Sequence, residues 1–200
     1  TLMTQHIKAR ELLGGLVLFG GFARWRDTLA YSISDRDLSA ESVPPDPLNQ
    51  PVLFLNLAPH LGLDEGDTDL LRRAWMTYIQ STWGPPLNAT QRQADRVARD
   101  LAYDLPQPIQ SYFLKGCGVR PGGHALIRDL FADDSSLYDW LGTREALRAL
   151  DCPIHIVHGA SDNVIPIREG RVLYEWVADR PSTRCWFTGL YGHTGIESLE

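Results

Sequence analysis

The 200-residue sequence has few cysteines, no excess of positive charge and no long hydrophobic run. Its three cysteines, Cys117, Cys152 and Cys185, lie far apart and form no Cys-x-x-Cys pair. This spacing argues against a zinc knuckle or a disulfide framework and favours buried thiols in a reducing compartment. Lys and Arg number 19 and Asp and Glu 25, and the resulting net charge of −6 argues against nucleic acid as a partner.

The longest apolar stretch, residues 12–23, is about half as long as a bilayer-spanning helix and is interrupted by glycines. No membrane span is therefore expected. No segment near the start combines the charged and apolar regions of a signal peptide, so we expect a cytoplasmic protein. The chain begins with Thr1 rather than Met, and this residue need not be the natural start of the protein.

Three short strands are predicted, separated by helical sequence. The unbroken apolar run between the glycines of 15–20 is typical of a strand buried on both faces of a parallel sheet. Residues 153–158 and 183–188 are also strand-like, and the amphipathic segment 167–178 lies between them. Strand, helix and strand in this order predict a βαβ unit with parallel strands, so the fold class is α/β.

A long helical segment interrupts this sheet. We divide the chain into residues 1–35 and 151–200, which build the sheet, and an insertion of short helices over 36–150. Thr90 and Gln93 form a capping box at the start of one of these helices. The acidic run 64–69 is interpreted as a solvated helix start rather than a calcium loop, because it lacks the glycine and terminal glutamate of such a loop.

The inserted helices are rich in aromatic residues. These side chains could form the core of the insertion, or some of them could line an apolar pocket for an acyl or aryl group. The residues concerned are Trp75, Tyr78, Trp83, Tyr103, Tyr112 and Phe113.

Two residues with catalytic potential follow two of the predicted strands. Asp162 lies in the loop after 153–158, and His193 lies between glycines in the loop after 183–188. The carboxyl ends of neighbouring parallel strands meet at one edge of a sheet, where open α/β sheets bind their ligands. An aspartate that orients a histidine, and a histidine that acts as general base, would suit this place.

At these residues the sequence resembles the α/β-hydrolase family. His158-Gly159, Asp162 and Val164-Ile165-Pro166 match the motif that carries the family's catalytic acid, and Gly192-His193 matches the motif of its catalytic histidine. The resemblance implies that Asp162 orients His193. It also implies hydrolysis of a carboxylic ester or related acyl bond in a small-molecule substrate, with no metal and no cofactor.

The resemblance covers most of the chain. Residues 15–21 resemble the strand that follows the nucleophile, and 36–150 lie where the family inserts its helical cap. The implied fold is a partial hydrolase sheet of three parallel strands. Other members of the family act as dehalogenases, epoxide hydrolases or peptidases, and a non-catalytic binding protein on the same scaffold is a further alternative.

The family's nucleophile is missing from these 200 residues. No Gly-x-Ser-x-Gly elbow occurs, nor a version with Cys or Asp at its centre. Cys117 lies within the helical insertion and Ser161 on the loop of the acid, and neither is well placed to replace it. We therefore expect the C-terminal part of a longer serine hydrolase. Alone it should be inactive and should self-associate, because the strand at 15–20 would expose an apolar edge.

Simpler roles exist for each of these residues. Asp162 could cap the following helix or make an Asx turn, and His193 could be a solvated loop residue. His155 and His158 lie near Cys152, but on a strand they point to opposite faces and cannot share one metal ion. We expect a buried His155 and a His158 that supports the turn.

Overall fold

The computed structural model describes residues 12–33, 43–83, 90–133, 138 and 141–192. The chain divides into two compact units, Thr1–Pro45 with Tyr138–Glu200, and Asp46–Leu137. We call them the sheet unit and the helical unit. The second unit lies within the insertion predicted over 36–150, whose limits remain a prediction.

The sheet unit contains three parallel strands in the order β1–β2–β3. Its elements along the chain are β1 (Leu16–Phe19), α1 (Trp25–Ser32), α7 (Arg144–Arg148), β2 (Ile154–Gly159), α8 (Ile167–Glu175) and β3 (Arg184–Thr188). The three predicted strands, their parallel direction and the βαβ unit are therefore confirmed. The α/β class is confirmed with them.

One face of the sheet carries the core of this unit. Ile154 and Ile156 of β2 are fully buried and pack with Leu147 of α7, Leu173 of α8 and Val177. Period-two alternation along β2 directs its branched side chains to this face, and the apolar stripe of α8 covers them.

The opposite face of β1 is open to solvent. Val17 is 61% exposed and Phe19 is 64% exposed, and on β3 Trp186 is 50% exposed. The prediction that the strand at 15–20 is buried on both faces is therefore wrong. The run of apolar residues gives no alternation, so the sequence does not reveal that only one face is covered by the described part of the chain.

The helical unit is built from α2 (Gln50–Leu57), α3 (Glu65–Thr82), α4 (Gln91–Tyr103), α5 (Ile109–Gly116) and α6 (Gly123–Asp133), with 3-10 turns at Pro47–Asn49 and Ala58–His60. As predicted, the described residues of this unit form no strand.

Two predicted helix starts are confirmed in this unit. Thr90 and Gln93 exchange the hydrogen bonds of a capping box at the start of α4. Asp64 caps α3 by accepting a hydrogen bond from the backbone N–H of Asp67, so the acidic run does begin a helix.

The aromatic residues of the helical unit divide by burial. Trp75, Tyr78 and Phe113 are fully buried and form its core, and the Trp75 indole donates a hydrogen bond to the Phe113 carbonyl at 3.2 Å. Trp83 is partly exposed and Tyr103 is 85% exposed. The core interpretation therefore holds for the first three. Among the described residues, no helix has the length and apolar character to span a membrane.

Candidate functional site

Asp162 lies in the loop between β2 and α8, at the carboxyl edge of the sheet, and is only 2% exposed. Its Oδ1 accepts hydrogen bonds from the backbone N–H groups of Val164 at 2.9 Å and Ile165 at 2.8 Å. This is the local turn that Asp favours. The helix-cap alternative is wrong, because Pro166 is the N-cap of α8 and no side chain caps it.

His158, at the end of β2, is fully buried. Its Nε2 lies 2.9 Å from the carbonyl oxygen of Ile165 and 3.9 Å from Oδ2 of Asp162. The shorter distance is a hydrogen bond and the longer one is not. His158 therefore supports the turn, as predicted. Being sealed from solvent, it is not the base that would exchange a proton with a substrate.

His155 lies on the opposite face of β2 from His158, as the strand periodicity predicts. It is half-buried rather than buried, and its ring centroid is 5.7 Å from that of Trp186. The described residues contain no group of three or more His, Cys, Asp and Glu arranged to hold a metal ion.

The chain after β3 crosses the carboxyl edge of the sheet. The Tyr191 ring stacks on that of Phe19 at the end of β1, with centroids 4.4 Å apart and planes 15° apart. The Tyr191 carbonyl oxygen passes so close to Gly159 that a Cβ there would lie 2.6 Å from it. The segment that leads to His193 thus passes over the ends of β1 and β2. His193 itself lies outside the described residues.

The loop after β1 also reaches Asp162. Gly20 has a φ of +58°, which an L side chain rarely adopts, and its N–H donates to the Val157 carbonyl at 2.9 Å. A Cβ on Gly20 would lie 3.6 Å from Oδ2 of Asp162. Segments that follow all three strands therefore converge on this carboxylate, which is the arrangement expected for the loops of neighbouring parallel strands.

The Asp162 carboxylate contributes to raised pKa values at two tyrosines, Tyr31 and Tyr191. Burial, with the Asp162 carboxylate as a second cause, raises the pKa of Tyr31 to about 12, and Arg168 opposes this rise. The same two causes raise the pKa of Tyr191. The Tyr31 hydroxyl donates a short hydrogen bond to the Val43 carbonyl.

Glu169, in the first turn of α8, is a second buried carboxylate that the sequence analysis missed. It is 1% exposed, and its Oε2 accepts hydrogen bonds from the backbone N–H groups of Ala23 at 3.1 Å and Arg24 at 2.7 Å. Burial is the main cause that raises its pKa. The signal that could have found it is its spacing of four residues before Leu173, which places it on the apolar stripe of α8.

The sheet unit also contains an open cavity of about 300 Å³. The start of α1, the start of α7, Tyr138 and Trp176 line it. Arg24 pairs with Asp27 at 3.0 Å, and the Arg144 guanidinium lies 5.7 Å above the Trp176 ring. Neither Asp162 nor another residue of its loop lines the cavity. Its volume is at the lower end for a small-molecule pocket.

Cys117 lies directly after α5, within the helical unit as predicted. It is 1% exposed within the helical unit, and burial raises the pKa of its thiol. A buried thiol with a raised pKa is inert, because the thiolate is the reactive form.

Comparisons of the chain with known protein families, with curated protein sequences and with solved structures found no match. The function must therefore be inferred from the residues themselves. The most informative of them is Asp162, a buried carboxylate at the carboxyl edge whose Oδ1 binds two backbone N–H groups. Such a group can orient an imidazole and stabilise its protonated form.

Proposed function

We propose that this chain is part of an α/β-hydrolase that cleaves a carboxylic ester or related acyl bond in a small molecule, with Asp162 orienting the catalytic histidine, His193. The observation that most directly supports this proposal is the geometry of Asp162. Two backbone N–H groups fix Oδ1, so the carboxyl group has one defined orientation. Oδ2, on the side of Gly20, would accept the hydrogen bond from Nδ1–H of His193.

The path of the chain supports this pairing. Tyr191 lies against Gly159 and Phe19, and His193 follows it by two residues. Two residues of extended chain span at most about 7 Å. Asp162 is three residues beyond Gly159 in the neighbouring loop, and a Cβ on Gly159 would lie 3.6 Å from its Cβ. The position of Tyr191 beside Gly159 therefore supports the proposed pairing of His193 with Asp162.

The proposed reaction is acyl transfer through a covalent intermediate. His193 removes the proton from a serine hydroxyl as the oxygen attacks the substrate carbonyl, and Asp162 stabilises the imidazolium that forms. The imidazolium then protonates the leaving alcohol. Water, deprotonated by His193, releases the acid from the acyl-enzyme. The 200 residues contain no nucleophile elbow, so in this proposal the serine belongs to sequence outside them. The helical unit would be the cap.

The test uses the complete reading frame that contains these residues and follows hydrolysis of p-nitrophenyl esters. Asp162→Asn keeps an oxygen for the two backbone N–H groups but removes the charge, and should lower kcat by about 10³–10⁴-fold. His193→Ala should have an effect at least as large. Asp151→Asn is the matched control, because Asp151 is exposed just before β2, and it should leave kcat unchanged.

Two outcomes would count against the proposal. Asp162→Asn with unchanged turnover would show that this carboxylate orients no catalytic base. A complete protein that binds an ester analogue, turns over no ester and binds equally well after His193→Ala would favour the non-catalytic alternative.

A further inference from the structure

His158 is joined to the loop of Asp162 by contacts that the proposed reaction does not use. The peptide groups around Ile165 lie between the two side chains. The Ile165 N–H donates to Oδ1 of Asp162 at 2.8 Å, and the Ile165 carbonyl lies 2.9 Å from Nε2 of His158. One residue therefore carries a hydrogen bond to each of them.

The hydrogen bond to the carbonyl assigns the tautomer of His158. A carbonyl oxygen only accepts, so Nε2 must carry the proton and donate it. Nδ1 is buried and has no hydrogen-bond partner in the described part of the chain. The ring is thus bound to the protein through Nε2–H, at the end that faces the loop.

Helix α8 holds the other side of the same ring. A Cβ on Gly170 would lie 2.8 Å from Nδ1 and 2.9 Å from Cγ of His158. Real Cβ atoms do not approach so closely, so residue 170 must lack a side chain for the imidazole to occupy its position. The imidazole ring therefore packs between the backbone of α8 and the loop of Asp162.

We propose that His158 is a positioning residue for Asp162. Its Nε2–H fixes the Ile165 carbonyl and thereby holds the loop so that the N–H groups of Val164 and Ile165 point at Oδ1. Asp162 then has one orientation towards its catalytic partner. The consequence for catalysis rests on the proposed function, whereas the effect on the loop does not.

The first experiment measures amide hydrogen exchange by NMR in the 200-residue protein and needs no activity. His158→Met removes the donor, and His158→Gln is a matched variant of similar length that retains one. We expect His158→Met to accelerate exchange of the Val164 and Ile165 amides by about tenfold or more relative to β2, and His158→Gln to restore most of the protection. Equal protection of these two amides in all three proteins would overturn the proposal.

A second measurement keeps the proposal testable if His158→Met does not fold. A two-bond ¹H–¹⁵N correlation spectrum of the unsubstituted protein reports the tautomer of His158 directly. We expect the proton on Nε2. A neutral ring with its proton on Nδ1 would overturn the proposal, because it could not donate to Ile165.

The third measurement separates this inference from the proposed function. In the complete protein, His158→Met should lower kcat for ester hydrolysis by about tenfold or more with little change in KM, and His158→Gln should recover it. Accelerated exchange with an unchanged kcat would overturn the catalytic role of His158. If the unsubstituted protein hydrolyses no ester, the proposed function fails, and the exchange experiment still decides whether His158 holds the loop.

Discussion

The buried carboxylate of Glu169 accepts a hydrogen bond from the backbone N–H of Arg24 at 2.7 Å. Arg24 is the N-cap residue of α1, and Glu169 lies in the first turn of α8. The same oxygen accepts the N–H of Ala23 at 3.1 Å. This carboxylate therefore links the starts of α1 and α8 through two main-chain N–H groups.

The first prediction concerns the stability of Glu169 variants. Glu169→Ala leaves the N–H groups of Ala23 and Arg24 without their acceptor and should cost about 2–4 kcal/mol. Glu169→Gln keeps one oxygen for both and should cost less than about 1 kcal/mol at pH 7. Urea unfolding of the three proteins measures the difference. Equal losses in the two variants would contradict the hydrogen-bond explanation.

The second prediction is the pH dependence of this contribution. Burial raises the pKa of Glu169 above its ordinary 4.5, so the folded protein holds this proton more tightly than the unfolded chain. Stability must then fall as pH rises through the window between 4.5 and the raised pKa, and become level above it. Glu169→Gln removes this group. The free energy of unfolding of Glu169→Gln, minus that of the unsubstituted protein, should therefore increase as pH rises from 4.5 to the raised pKa.

If the difference between their free energies of unfolding stayed constant from about pH 4 to about pH 8, Glu169 would have the same pKa in the folded and unfolded protein, and the prediction would be wrong. The charges nearest to Glu169 include Asp27, which raises its pKa, and Arg168, which lowers it. The Arg168 side chain is 49% exposed and its Nε is 3.8 Å from Glu169, so this pair contributes little.

The third prediction uses tyrosines as reporters of the charge on Asp162. The pKa of Tyr31 is raised to about 12 by burial and then by the Asp162 carboxylate. Asp162→Asn should therefore lower the pKa of Tyr31, and that of Tyr191 in the same direction. Tyr78 is the control, because burial raises its pKa without a contribution from Asp162. Ring ¹³C shifts followed during an alkaline titration provide the measurement.

An unchanged Tyr31 pKa in Asp162→Asn would mean that Asp162 carries no charge near this phenol. A parallel change at Tyr78 would point to a general change in the fold.

The sequence predicts the sheet well because its signals are local. The three strands are short apolar or β-branched runs bounded by Gly or Pro, and Thr90 with Gln93 forms a capping box within four residues. Asp162 is predicted to lie in the loop after β2 for the same reason. The turn that it makes needs only the next three residues.

The remaining features depend on partners far away in the chain. Glu169 binds residues 145 and 146 positions earlier, and no local pattern reveals such contacts. The His158 ring lies against Gly170 only because α8 packs on β2, so the sequence alone gives no reason to expect a glycine at that position. The open face of β1 is hidden in the sequence for a related reason, since burial on a second face depends on elements outside the strand.

A further prediction tests close packing in the helical unit. A Cβ on Gly116 would lie 2.6 Å from the buried Trp75 ring, so Gly116→Ala should cost about 2–3 kcal/mol. Gly66→Ala is the matched control in the first turn of α3, where the nearest atom is 3.5 Å from the new Cβ. It should stabilise the protein by about 0.5–1 kcal/mol. Two variants of equal stability in urea unfolding would show that the Trp75 ring can move aside at no cost.

The last prediction concerns the open face of the sheet. Val17 is 61% exposed on β1, which pairs only with β2 in the described part of the chain, and Trp186 of β3 is also half exposed on this face. An apolar face beside an unpaired strand edge promotes association between chains. The 200-residue protein should therefore self-associate as its concentration rises.

Val17→Lys should weaken this association, because a lysine on an edge strand must lose hydration when another chain packs on it. The free energy of unfolding of Val17→Lys should differ from that of the unsubstituted protein by less than about 0.5 kcal/mol, since the residue is solvent-exposed. Tyr103→Lys is the matched control, as Tyr103 is 85% exposed on α4, a helix of the helical unit, which contains no strand among its described residues. Sedimentation velocity over a range of concentrations distinguishes the three proteins. A monomeric unsubstituted protein, or equal effects of both lysines, would show that this face does not drive association.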